Sequence, residues 1–147
     1  MGIGKYRTED FLVEDFCSIL ESEKSPWGTL EFVREFPYGR GRTDVVAVDL
    51  EGRVLAFEVK LERWTDAMHQ AYRNTCFAHL SYVVLPESTI NRAQRYVWEF
   101  ARRCVGMCYV KDSSVVVSLP ATWQNPVQPW LSRTAASKVW EKNGDGF

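Results

Sequence analysis

The sequence lacks a long apolar run. Nothing in its 147 residues approaches the roughly 18 consecutive apolar positions that a membrane-crossing helix needs, so no membrane partner is expected. The first residues, Met1-Gly2-Ile3-Gly4-Lys5-Tyr6-Arg7, also lack the apolar core of a secretory signal, and a cytoplasmic protein is the expectation. A dominant charge is missing too. Against 19 Asp and Glu stand 18 Lys and Arg, a net charge of −1, so no global field advertises a polyanionic partner. Cysteine is sparse, with only Cys17, Cys76, Cys104 and Cys108. Without a secretory signal a disulfide framework is not expected. The step from Cys104 to Cys108 suits neither a zinc knuckle nor a common cluster motif. Small buried hydrophobes are the expectation, with an iron–sulfur cluster the weaker alternative. His69 and His79 are single histidines, read as surface or packing residues, and there are no internal repeats.

What is present is enough for a core. Hydrophobic residues make up 46% and charged residues 25%, as in an ordinary globular domain, and the length fits one domain. Of the 18 basic residues 12 are arginine, the better fork for phosphate, so a local basic surface on a neutral protein fits the composition.

Thr8 to about Ser22 predicts a helix, capped by Thr8, with Leu12, Val13, Phe16, Ile19 and Leu20 as an apolar stripe. Thr29–Phe36 predicts a strand, and Tyr38-Gly39-Arg40-Gly41-Arg42 a turn. Asp44–Leu50 is apolar on both parities, the mark of a strand covered on both faces. Glu51-Gly52 supplies a hairpin turn into a strand over Val54–Lys60. A second helix is predicted from Asp66, as its cap, to about Ala78, then a short strand over Ser81–Leu85 stopped by Pro86. Ser88–Cys104 reads as one long helix with Ile90, Ala93, Tyr96, Val97, Phe100 and Ala101 inward. Arg92, Arg95, Arg102 and Arg103 give it a basic side, read as a solvated outer face. Met107–Val110 and Ser114–Leu119 form a hairpin around Lys111-Asp112-Ser113. From Pro120 the composition shifts to prolines and tryptophans without clear periodicity. We therefore divide the chain into a domain over 1–119 and an extension over 120–147 that packs on the core or on a partner. Trp123, Trp130 and Trp140 are read as packing or dimer contacts, and residues 143–147 as frayed.

The chemistry concentrates in Phe57-Glu58-Val59-Lys60 and the upstream Asp44. Alternate side chains of a strand share a face and rise about 3.3 Å per residue, so Glu58 and Lys60 point the same way, roughly 7 Å apart. An antiparallel return of the strand ending near Leu50 brings Asp44 beside them. Two carboxylates can hold a hard divalent cation, and an adjacent lysine can position a water or steady a phosphate's charge. The alternatives are plain ion pairs, Asp44 with Arg42 or Arg53, and Glu58 with Lys60 across the sheet surface. Arg40 and Arg42 flank the glycine turn, and Arg73 and Asn74 sit at adjacent positions of the second helix. All four are candidate nucleic-acid contacts.

This order and these residues resemble the PD-(D/E)XK nuclease superfamily, the restriction-endonuclease-like fold, over about Thr8 to Leu85. The resemblance implies an α/β core of helix, three-strand meander, helix and strand. Its mixed sheet would be flanked by helices and followed here by a C-terminal helix and hairpin. It implies a Mg²⁺- or Mn²⁺-dependent nuclease that hydrolyses phosphodiester bonds through a metal-activated water, with DNA preferred to RNA as substrate. Asp44 and Glu58 would be metal ligands, the Val59 carbonyl a third, and Lys60 a contact to the water or the scissile phosphate. Gln70 matches the glutamine that many subfamilies carry on the second helix and would project toward Lys60 and the DNA backbone; the alternative is a solvated helix residue. Some relatives, notably archaeal Holliday-junction resolvases, add a glutamate on the first helix. Glu9 lies along the apolar stripe and is the choice here, whereas Glu14 and Asp15 lie off it; the alternative is that Glu9 only complements the helix N-terminus. The motif's proline is absent, with Thr43 in its place. At this length a homodimer or a partner subunit is open. So is a non-catalytic nucleic-acid-binding or interaction module of the same fold within a larger complex.

Overall fold

The computed structural model describes residues 6–142; residues 1–5 and the end expected to fray, residues 143–147, lie outside the described residues. Thr8 accepts from the Phe11 N–H at 3.3 Å and starts α1 (Glu9–Leu20), whose first turn carries Glu9 and Asp10 at the positive end of the dipole. Three strands follow as a meander: β1 (Leu30–Tyr38), β2 (Gly41–Asp49) and β3 (Val54–Val59). Gly52, at φ +84°, turns the chain between β2 and β3. α2 (Trp64–Asn74) crosses to β4 (Leu80–Pro86), and α3 (Glu87–Gln94) with α4 (Val97–Arg102) crosses to β5 (Val105–Lys111). β6 (Ser114–Leu119) closes a hairpin through Asp112 and Ser113, both at positive φ as a tight hairpin turn requires. The last element is α5 (Pro129–Lys142).

All six strands form one sheet in the order β1-β2-β3-β4-β5-β6. Its pairs are antiparallel except β3–β4 and β4–β5, which are parallel and bridged by the helical crossovers. This is a mixed α/β sheet flanked by helices, with the expected helix, meander, helix and strand order. Strand parity divides the core. Val45, Ala47, Leu55, Phe57 and Val84 pack under α1 with Leu12 and Phe16. Val46, Val48, Val54 and Ala56 pack under α5, and Val83, Leu85 and Met107 under α2 and the α3–α4 pair. Phe57 anchors the first layer, with its ring centroid 4.9 Å from Phe16 and 5.0 Å from Trp27.

The structure corrects three sequence expectations. The single helix over Ser88–Cys104 is broken at Tyr96, whose ring stacks on Trp64 at 5.1 Å. The break shifts the helical phase, so Ile90, Ala93 and Phe100 are buried while Tyr96, Val97 and Ala101 are exposed. Asp66 is not the cap of α2; the helix starts two residues earlier and Asp66 pairs with Arg63 at 2.9 Å. Residues 129–142, read as aperiodic, are helical. Pro129 opens α5, as its fixed φ favours, and Ser132, Ala135, Ala136 and Val139 lie against β1 and β2 at helical spacing. Trp123 stacks on His79 at 4.7 Å, and Trp130 and Trp140 remain largely exposed.

Gly106 in β5 has a packing role. A Cβ there would lie 2.5 Å from the Tyr82 ring, 2.6 Å from the Ala121 nitrogen and 2.6 Å from the Leu119 oxygen. Two of these neighbours are backbone and cannot rotate away. Gly106→Ala is therefore expected to lower stability by about 3 kcal/mol, at the upper end of overpacking costs. Urea denaturation would show it as a shifted midpoint, and a shift too small to resolve would mean that the 119–121 strap moves freely.

Candidate functional site

The site forms where the sheet's ladders open. β1 pairs with β2 through Arg34↔Val45 and next through Phe36↔Thr43, passing over Glu35 and Asp44. Glu35 takes φ +56°, a left-handed conformation that costs a non-glycine residue about 1 kcal/mol or more. On the other side β2 pairs with β3 only as far as Val45↔Phe57. Past that point the Val59 N–H donates to Asp44 Oδ2 at 2.8 Å. A carboxylate stands in for a strand carbonyl, which fixes the Asp44 side chain beside the end of β3.

Glu58 is only 1% exposed. One oxygen, Oε2, accepts from Asn74 Nδ2 at 2.7 Å, and Asn74 Oδ1 accepts from the Thr43 hydroxyl at 3.0 Å. Burial pushes Glu58 up to about 8, the nearby Asp44 charge adds to this, and the Asn74 hydrogen bond opposes it. Burial raises Asp44 as well, against the Val59 N–H and the Lys60 charge. The two carboxyls hydrogen-bond to each other when Glu58 carries the proton. A buried acid and a half-buried one set against each other form a site for positive charge.

Lys60 follows directly after β3. Its N–H donates to the Val84 carbonyl at 3.2 Å, and its ammonium stands 3.8 Å from Glu9 on α1. Thus α1 from one face and α2 from the other both reach the end of β3. Glu9, expected among the metal ligands, stands by the Lys60 ammonium, and its charge also reaches Asp44 and raises it. Among the described residues no three His, Cys, Asp or Glu side chains gather closely enough to hold a metal. The side-chain share of such a site is therefore the pair Asp44 and Glu58. That donor set fits Mg²⁺, which takes one or two carboxylates and otherwise keeps water.

The α2 residues divide. Asn74, expected at the phosphate backbone, is fully buried, and both ends of its amide are engaged with Glu58 and Thr43. This is a correction: a side chain sealed under the sheet end cannot meet a polyanion. Gln70 lies one turn before Asn74 on the same helix face, and its Oε1 is buried without a hydrogen-bond partner among the described residues. Arg73 is exposed; its guanidinium lies 5.6 Å from the Tyr38 ring centroid, and its charge reaches Glu58. The Arg73 guanidinium packs toward Gly41, where a Cβ would lie 3.7 Å from it. Arg40 is exposed in the β1–β2 turn, and Arg42 pairs with Glu35 at 3.1 Å. Arg53 pairs with Asp49 and Glu51, so neither Arg42 nor Arg53 holds Asp44. His79 accepts from the Val54 N–H at 2.9 Å, His69 is exposed, and the four thiols are free. Sequence reasoning missed the part of Thr43. Its signal was a hydroxyl residue next to Asp44 at the mouth of a doubly buried strand.

With this geometry in hand, comparison with solved structures locates the fold. A protein of unknown function from Silicibacter pomeroyi aligns over 95% of this chain and 88% of its own, with a TM-score of 0.67 and 15% identity. The two share a fold. Two further likenesses are too distant to carry an argument. One is SfsA of Pyrococcus furiosus in complex with Ca²⁺, at TM-score 0.36 and 11% identity over 78% of this chain and 61% of that one. The other is a repair endonuclease from Pyrococcus abyssi, at TM-score 0.45 and 17% identity over 74% and 50%. No protein-family profile and no curated protein sequence matches the chain. Among the described residues no helix is long and apolar enough to cross a membrane.

Proposed function

We propose that the protein is a divalent-metal-dependent nuclease that hydrolyses phosphodiester bonds, in DNA before RNA. The carrying observation is the carboxylate pair of half-buried Asp44 and buried Glu58, with the Lys60 charge acting on Asp44, set where both strand ladders open. Asp44 and Glu58 would hold Mg²⁺ or Mn²⁺, with the Val59 carbonyl at hand between Glu58 and Lys60. The bound ion would supply Lewis-acid stabilisation of the phosphate and a nucleophilic water at neutral pH. Asp44 is kept in place by the Val59 N–H, so no side-chain reorganisation is needed at the moment of reaction. Lys60 offers its ammonium to the scissile phosphate, and the weak 3.8 Å contact with Glu9 lets that charge go at little cost. The open Gln70 acceptor suits a water or a substrate donor, since a buried acceptor left unpaired costs about 1–3 kcal/mol. Arg73, whose charge reaches Glu58, and Arg40, exposed in the β1–β2 turn, would meet the phosphate backbone.

The test is a cleavage assay on plasmid, linear duplex, branched and single-stranded DNA and on RNA, each with Mg²⁺, Mn²⁺ or EDTA. Cleavage in either metal and none in EDTA is expected. Salt-sensitive binding with no cutting of any substrate would replace this reading with a non-catalytic nucleic-acid module.

A further inference from the structure

Thr43, Asn74 and Glu58 form a buried polar network at the sheet end, and the proposed chemistry gives Thr43 and Asn74 no task. Thr43 is 1% exposed, Asn74 0% and Glu58 1%. Three different elements contribute, β2, α2 and β3, so the network ties the crossover helix to both acid-bearing strands. A buried carboxylate needs donors, but an ordinary packing site could supply one from backbone. Here the donor is a side-chain amide, and the amide has a direction.

That direction follows from donor arithmetic. An amide offers an acceptor at one end and donors at the other. An ionised Glu58 only accepts, so it takes the amide nitrogen, and Asn74 Oδ1 is left to accept from the Thr43 hydroxyl. If the amide were turned over, its oxygen would meet an ionised carboxylate oxygen, and two acceptors would be pressed together. The acceptor-only carboxylate therefore sets which end of Asn74 meets Glu58, and the Thr43 hydroxyl satisfies the other end. Asn74 in turn engages Oε2 alone and leaves Oε1 for Asp44 or for a cation.

Resting on the nuclease reading, we infer that Asn74, anchored by Thr43, is a positioning residue that presents one Glu58 oxygen to the divalent ion. Groups that hold a metal ligand in orientation commonly change metal affinity by 10–100-fold when removed. Mn²⁺ binding to the wild type, Asn74→Ala, Thr43→Val and Thr43→Ser, followed by the paramagnetic signal of the free ion, reads this directly. Melting of each metal-free variant is recorded alongside. Asn74→Ala is expected to weaken Mn²⁺ binding by roughly 10–100-fold. Thr43→Val, which keeps the volume and removes the hydroxyl, should weaken it less, and Thr43→Ser should restore it. In a Glu58→Gln background Asn74→Ala should have no further effect on Mn²⁺.

A purely structural network gives another pattern: lower melting temperatures with Mn²⁺ affinity unchanged in folded Thr43→Val and Asn74→Ala. That outcome overturns the inference and leaves the nuclease reading standing. A wild type that binds no Mn²⁺ and cuts nothing overturns both. Since Thr43→Val removes a single hydroxyl, it keeps the question answerable even where Asn74→Ala does not fold.

Discussion

Asp44→Asn and Lys60→Ala should each reduce metal-dependent cleavage by roughly 10²–10³-fold or more, the range seen when one preorganised charge-stabilising group is lost. Neither should unfold the protein. Asn at position 44 keeps the volume and an oxygen for the Val59 N–H, and it removes one of two crowded carboxylates. Because Asp44 is raised by burial, the neutral variant should melt at or above the wild-type temperature at pH 8. Lys60→Ala forfeits the 3.8 Å contact with Glu9 and a charge beside Asp44, which protonation of the acid pair offsets, so the variant should stay folded at about the wild-type stability. Single-turnover cleavage together with thermal melts checks both. Full activity in either variant would sink the proposed mechanism, and a collapse of stability in Asp44→Asn would recast the acid as a structural strand plug.

The second large effect is on stability against pH. Glu58 is raised from 4.5 to about 8 by burial and by the Asp44 charge. A raised carboxyl means that the folded state binds the proton more tightly than the unfolded chain does. Its contribution is complete below about 4.5 and is lost as pH rises through about 8. Since each pH unit of displacement corresponds to about 1.4 kcal/mol, the fall across that window is of the order of several kcal/mol. Saturating Mg²⁺ or Mn²⁺ should abolish it, because the cation takes the proton's place. Glu58→Gln should flatten the profile in EDTA. Urea denaturation at pH 5, 6.5 and 8, with and without metal, supplies the comparison. Stability that rises from pH 5 to pH 8 in EDTA would show that the pair is ionised and neutralised by other groups.

The legible parts of this chain are those governed by short periods. The Glu51-Gly52 turn brought Asp44 back beside the end of β3, whereas parity does not carry past Val59: Glu58 meets Asn74 of α2 and Lys60 meets Glu9 of α1. The α1 stripe singled out Glu9 over Glu14, and Glu9 is the acid that reaches Lys60. What stayed hidden depends on tertiary context. A polar residue such as Asn74 on a helix looks solvated until the sheet end beneath it is known. The buried stripe of α5 is Ser132, Ala135, Ala136 and Val139, too small and too polar to stand out as a period. Helical spacing continues unbroken through Gln94–Val97, although the Trp64–Tyr96 stack interrupts the helix there. The left-handed Glu35, which helps to free Asp44 from its ladder, leaves no mark on the sequence at all.

The direction change inside the sheet bears on how the chain assembles. Strands β1 to β3 are joined by tight turns, so Asp44 and Glu58 can meet on the microsecond timescale of hairpins. The parallel β3–β4 pairing must wait for a crossover through α2 to close a far longer loop. A nascent molecule therefore confronts the repulsion of its two acids before Asn74 arrives to share the load. The larger share of the alkaline loss, which comes from burial of Glu58, is met only when α2 closes over the sheet end.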